Sequence, residues 1–185
     1  MYIFIPGIFG PRELIKFHMK KGFTLVEILI YIAILGLVLA SITGFFLNTI
    51  SANLKENSYQ EVQQNGRFVM TKITQETKKA IGINSPVPGS YGNSLSLVMS
   101  DSNLNPTVFD LNNGKLRIAQ GSSAPVDLTT DQVLVTNLQF TNLSYAGTPG
   151  TIRTEMTIEY LNPANKSEYQ ASLDLKTTVS LLKGP

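Results

Sequence analysis

Residues 28–47 hold twenty consecutive positions without a charge, built mainly from Ile, Leu, Val, Phe and Ala. As a helix they rise about 30 Å at ~1.5 Å per residue, the thickness of a bilayer's hydrocarbon core. A buried core helix is seldom uncharged for so long. The flanks point the same way: Lys16, Lys20 and Lys21 precede the run, and Asn48, Thr49 and Ser51 follow it. Basic residues stay on the cytoplasmic side, so the pattern predicts a single-pass cytoplasmic membrane protein, N-terminus inside and C-terminal part exported. A secretory signal has a shorter apolar region and a small-residue cleavage site after it. At the entrance stands Glu27, the last charge before Lys55. An unpaired carboxylate in lipid is expensive, so such a group needs a partner or a route to the interface.

The formal charge of +2 hides an uneven distribution. Arg12, Lys16, Lys20 and Lys21 lie before residue 22 against the single acid Glu13; from Asn48 onward eleven basic residues face eleven acidic ones. That balance argues against strong non-specific attraction to nucleic acid. Cysteine is absent, which excludes disulfides, thiolate nucleophiles and cysteine–zinc sites. The one histidine is His18. If the leader is removed no imidazole remains, and Ser-His-Asp chemistry or histidine metal sites go with it. No enzyme, cofactor or metal is expected.

Along the chain, residues 1–18 are punctuated by Pro6, Gly7, Gly10 and Pro11 and suit no folded element. Met19 followed by "KKGF" reads as a natural start, so these residues are either an upstream extension or a long leader. After the apolar run, Ile50, Leu54, Val62, Val69, Ile73 and Ala80 form one stripe of a continuing helix, with Gln60, Glu61, Gln63, Lys72, Gln75, Glu76 and Lys79 off it. Gly66 weakens the middle. Gly82, Pro86, Pro88 and Gly89 stop the helix. The period then changes to two. Strands are predicted over 94–99 and 107–111, with "NNG" (112–114) turning the chain into 115–119 as a hairpin. Val133 and Val135 alternate, then Leu138 and Phe140 alternate in the opposite phase, which predicts a bulge near Thr136. Further strands cover 152–160 and 169–181. One apolar and one wet face imply an antiparallel sheet covered on one side by the helix. The fold class is therefore α+β: leader 1–22, membrane half-helix 23–47, exported amphipathic half 48–83, and antiparallel sheet domain 84–185.

The stretch "KKGFTLVEILI" closely resembles the processing motif of type IV pilins and of the pseudopilins of type II secretion and competence systems. The resemblance implies a pilin-like fold and cleavage by a prepilin peptidase between Gly22 and Phe23, with methylation of the new Phe23 N-terminus. It implies that Glu27, fifth in the mature chain, pairs with the N-terminal amine of a neighbouring subunit. A carboxylate and an ammonium attract strongly in low dielectric, where each alone is penalised. Gly36, Ala40 and Gly44, four residues apart on one face, would let helices approach closely in lipid. Gly44 stands where many pilins have a helix-breaking proline, so Gly36 and Gly44 mark a segment that loosens on filament formation, or else ordinary membrane-helix glycines. The remainder, "QNGRFVMTKITQETKKA", "FDLNNGKLRI", "VDLTTDQVLVTNLQF" and a "TTVSL" strand, is similar to J-type minor pseudopilins and competence minor pilins. Lack of cysteine departs from pilins whose C-terminal loop is closed by a disulfide.

Other signals in the chain are weaker. Asp101, Asn103 and Asn105 open like a calcium loop, but Pro106 and Asn112 stand where glycine and glutamate are required, and a solvated loop is expected. Lys115, Arg117 and Arg153 are either a small DNA-binding patch or residues on the wet faces of strands. Asn142 and Asn165 begin N-x-S sequons. The leading expectation is a structural minor pilin or pseudopilin subunit, with prepilin peptidase, other pilin subunits and the inner membrane as partners. A pilus-tip binding module for DNA, a surface or a secreted substrate is the alternative.

Overall fold

The computed structural model describes residues 22–182 apart from Ala146 and Thr148. The basic leader, His18 and the two candidate starts, Met1 and Met19, lie outside the described residues. The chain divides into two compact units, Met1–Phe45 and Phe46–Pro185.

One helix, α1 (Leu25–Lys79), contributes to both units. Within the first unit every apolar residue from Phe23 to Leu39 that is large is exposed, among them Leu29, Ile32, Leu35 and Leu37. By length and composition this portion of α1 is able to cross a membrane, and none of the residues in its apolar window is buried.

In the second unit α1 turns amphipathic. Ser58, Val62, Asn65, Gly66, Val69, Met70, Ile73, Glu76 and Thr77 are buried, a repeat of three and four residues that keeps one face inward. Val62, Val69, Ile73 and Ala80 occupy the predicted stripe. Two positions depart from it. Ile50 is exposed, and Leu54 only half-buried, because the buried face begins at Ser58. Glu76 is buried instead of wet, three residues after Ile73 on the same face, with Lys72 and Lys79 supplying its counter-charge. Gly66 does not interrupt the helix; it packs against Leu175, Ile158 and Leu173 of the second sheet. Lys78 and Lys79 sit in the last turn, where they favour the negative end of the helix dipole.

The strands are β1 (Gly82–Ser85), β2 (Tyr91–Gly92), β3 (Leu95–Val98), β4 (Thr107–Asn112), β5 (Lys115–Gln120), β6 (Val126–Asp127), β7 (Val133–Asn142), β8 (Thr151–Tyr160) and β9 (Ser172–Ser180). All pairings are antiparallel, but they build two sheets, β1-β3-β4-β5-β6 and β2-β7-β8-β9, where one was expected. The reason is local. β6 occupies the free edge of β5, so the ladder cannot continue into β7. Among the described residues the sheets are joined by a backbone bond from Val135 N–H to Gly114 O at 2.8 Å.

The β4–β5 hairpin has the two-residue Asn113-Gly114 loop, both residues at positive φ (50° and 73°), the geometry that matches strand twist. The ladder between β7 and β8 slips between Val135 and Asn137, so Thr136 is the bulge. That slip lets Val133, Val135, Leu138 and Phe140 all face inward. At the C-terminal end the expected strand is shorter by its first residues. Ser167–Tyr169 form a 3₁₀ turn and β9 starts at Ser172.

Both sheets and α1 share one core: Phe109, Leu95, Leu97 and Leu116 from the first sheet, Phe140, Ile152, Met156 and Ile158 from the second, and Val62, Val69 and Ile73 from the helix. Each such side chain contributes roughly 1.5–3 kcal/mol by leaving water. Polar ties fix the helix laterally. Asn65 Oδ1 accepts from Thr130 N–H at 3.0 Å, and Glu61 Oε1 accepts from the Thr130 hydroxyl at 3.0 Å.

Candidate functional site

The candidate processing segment lies at the start of α1. Gly22, Phe23 and Thr24 are outside the helix and exposed, so the Gly22–Phe23 peptide bond is free of helical hydrogen bonding. Among the described residues, a side-chain carbon on Gly22 would meet nothing within 4 Å. Thr24 sets the boundary. Its carbonyl accepts the helix bond from Ile28 N–H at 3.2 Å, and its hydroxyl oxygen accepts from Glu27 N–H at 3.2 Å. Thr24 is thus the N-cap and Glu27 the third helical residue, the spacing of a capping box. The "TLVE" quartet carries that signal openly, and the sequence reading missed it. A helix held to start at Leu25 leaves Gly22 and Phe23 exposed and outside it.

Glu27 is half-buried and lies in the first turn, where a negative charge favours the helix dipole. Tyr31 OH donates to Glu27 Oε1 at 3.5 Å, a long contact. No ion pair engages Glu27 among the described residues. Phe23, 69% exposed, sets its ring edge-on to Tyr31, with centroids 6.0 Å apart. Gly22 and Phe23 therefore directly precede, and Glu27 sits in, the first turn of one helix.

Gly36, Ala40 and Gly44 follow on one exposed face of α1. Carbons built on the two glycines meet nothing within 4 Å, so the face is smooth and open. Ser41 and Thr43 hydroxyls donate back to Leu37 O (2.8 Å) and Leu39 O (2.9 Å), which satisfies them without water.

The other candidates come out differently. Lys115 and Arg117 lie on β5, Arg153 on β8 of the other sheet, so the three form no shared patch. Each has an acidic neighbour. Arg117 grips Asp110 with two bonds, Nε to Oδ1 at 3.0 Å and Nη2 to Oδ2 at 2.6 Å. Lys115 pairs with Asp131 and, at 3.6 Å, with Asp127. The hydrogen bond between Lys115 and Asp131 raises the ammonium and lowers the carboxyl from their ordinary values. Arg153 Nε lies 3.9 Å from Glu155, whose other oxygen Lys176 holds at 2.5 Å. A phosphate backbone would have to displace these carboxylates.

In the 101–105 loop two side-chain oxygens bond the chain itself: Asp101 Oδ1 accepts from Asn103 N–H (2.9 Å) and Asn105 Oδ1 from Met99 N–H (3.1 Å). No group of three or more metal-ligating His, Cys, Asp or Glu occurs among the described residues. Asn142 is only 1% exposed and its amide donates to Pro86 O at 2.7 Å, which seals that sequon inside the folded domain. Asn165 is exposed.

Residues 17–43 match the model of the prokaryotic N-terminal methylation motif. Over 91 residues the chain is 35% identical to the pilin-like protein PilA3 of Thermus thermophilus, a match covering 48% of this chain and 39% of that relative. The chain thus spans well under half the length of the curated relative it matches. No solved structure matches it significantly.

Proposed function

We propose that this chain, which carries the N-terminal methylation motif of the type IV pilin family, is a minor pilin or pseudopilin subunit, structural and not catalytic. In this reading a prepilin peptidase cuts between Gly22 and Phe23, and Phe23 becomes the methylated N-terminus. The observation that carries it is the Thr24-capped start of α1. It holds the Gly22–Phe23 bond outside the helix and Glu27 inside its first turn, directly before the uncharged run.

Glu27 then pairs with the amine of a neighbouring subunit's first residue. Its weak contact with Tyr31 leaves the carboxylate available for that stronger, charge-assisted partner. Gly36, Ala40 and Gly44 give neighbouring helices a smooth face for close approach. The basic flank before the run favours a cytoplasmic N-terminus with the two-sheet unit exported, first on the inner membrane and later in an extracytoplasmic fibre. Recognition of DNA through Lys115 and Arg117 is disfavoured by their carboxylate partners.

The deciding experiment is intact-mass and peptide sequencing of the membrane-purified chain, with and without a co-expressed prepilin peptidase. The expected result is a chain beginning at methylated Phe23 only when the peptidase is present. Retention of residues 19–22 in both samples would overturn the proposal.

A further inference from the structure

Beyond β8 the chain makes a loop whose shape is fixed by one side chain. Asn162 Nδ2 donates to Lys166 O at 2.7 Å, and Asn162 Oδ1 accepts from Lys166 N–H at 3.0 Å. Tyr160 N–H to Ala171 O at 2.9 Å closes the loop at its base. This frame holds Tyr169 parallel to Tyr160, ring centroids 5.9 Å apart and planes within 11°. The two rings and Tyr59 of α1 line an open groove of about 550 Å³, a volume typical of small-ligand sites. Tyr59 is 38% exposed.

The polar lining is as selective as the rings. Asn165 and Gln170 bring amides, and among the described residues Glu159 brings the one carboxylate and no basic side chain lines the groove. Phosphates and nucleic acid therefore have no counter-charge there. A purely apolar ligand would displace water from the amides and from the Glu159 carboxylate, which accepts from the Thr136 hydroxyl at 3.3 Å, and would return no hydrogen bond, which is costly. A pyranose ring meets both demands. Its C–H faces pack on tyrosine rings while its hydroxyls donate to the carboxylate and exchange hydrogen bonds with the amides. Because the groove is open, internal units of a chain are able to lie in it, and the preset loop spares the ordering cost of binding.

We propose that the Tyr59–Tyr160–Tyr169 groove is a binding site for a neutral glycan chain. The site lies wholly in the second unit and is independent of the processing at Gly22.

The test is saturation-transfer NMR on the full chain in lipid nanodiscs, titrated with cellohexaose and with the hexamer of N-acetylglucosamine. Transfer from tyrosine to sugar protons is expected, with a Kd on the order of 1 mM for at least one hexamer. Tyr169→Ala should weaken it about fivefold, while Tyr169→Phe should stay within about twofold, since the ring face is what binds. Tyr59→Ala removes a partly exposed side chain and Glu159→Gln only a charge. These two decide the matter if Tyr169→Ala fails to fold, and each should weaken binding at least about twofold. Absence of transfer at roughly 20 mM sugar, some twentyfold above the expected Kd, would overturn the proposal. So would transfer indifferent to these variants, or saturation of the groove by an oligolysine peptide with no response to either glycan.

Discussion

Gly66 of α1 lies so near Leu175 of β9 that a carbon added to the glycine would stand 2.6 Å from Leu175 Cδ1, with Ile158 Cγ2 next at 3.5 Å. The contact atom is the end of a half-buried leucine, which is free to turn. Alanine at 66 therefore costs some packing but recovers about 1 kcal/mol of helix propensity. Gly66→Ala is expected within about 1 kcal/mol of wild type. Gly66→Val has no such relief and should lose about 1–3 kcal/mol through overpacking. Urea unfolding of the full chain in micelles, followed by circular dichroism, separates the two. Coincident curves for both variants would show that the helix does not rest on β9 at this point.

That glycine also marks what the sequence revealed and what it hid. Period-two alternation located β4, β5, β7, β8 and β9 because each has one face in the core and one in water. Asn113-Gly114 and the phase change at Thr136 were legible because backbone conformation demands those residues or that slip. Partition into two sheets was not legible. It depends on β6, two exposed residues with no pattern, taking the edge of β5. Burial of Glu76 was hidden because periodicity scores a carboxylate as wet unless its lysine partners are seen in space. The methylation motif at the start of α1 was legible because a linear pattern carries it, whereas the Thr24 cap that sets the helix start was passed over. The groove at Tyr169 was not legible, because Tyr59, Tyr160 and Tyr169 meet only after folding.

Glu76 makes stability depend on pH. Burial pushes its carboxyl up, but hydrogen bonds and charge from Lys72 (2.9 Å) and Lys79 (3.3 Å) together outweigh this and hold it below its ordinary value of 4.5. A folded-state value below the unfolded one contributes stability above the unfolded value, and that stability is lost as pH falls through the folded value. Wild type should therefore soften as pH falls below about 4.5. Glu76→Gln should be less stable at neutral pH and should soften less over the same interval. Asp131 and Glu155 are also lowered, by Lys115 and Lys176, but their exposure screens the effect. Thermal unfolding of both proteins at several pH values is the measurement. Parallel pH profiles would assign the acid sensitivity elsewhere.

Asn142 clamps the segment before β2 to the end of β7. Its amide donates to Pro86 O while Oδ1 accepts from Ser144 N–H at 3.0 Å. The bond to Pro86 is buried and the one from Ser144 part-buried, so Asn142→Ala strands Pro86 O and should cost about 1–3 kcal/mol. Asn142→Asp offers no amide donor and should cost at least as much. Unfolding midpoints test this, and a loss below about 0.5 kcal/mol for alanine, the floor for a net hydrogen bond, would mean that water replaces the amide.

Thr24 and Glu27 allow capping and charge pairing to be separated. The bond that caps α1 runs from the backbone N–H of Glu27 to the Thr24 hydroxyl oxygen, so it survives any change of the Glu27 side chain. Glu27→Gln keeps the cap and the oxygen that Tyr31 reaches, and removes only the charge. Thr24→Ala does the reverse, at a cost of about 1 kcal/mol to the helix terminus. If Glu27 acts by pairing with a neighbour's amine, Glu27→Gln should be cut after Gly22 normally yet be missing from the sheared fibre fraction. Thr24→Ala should fray the first turn, raising amide exchange there about fivefold, and still enter fibres. Immunoblots of membrane and fibre fractions read both outcomes. Equal loss of both variants from fibres would instead make the order of the first turn, not the charge of Glu27, the requirement for assembly.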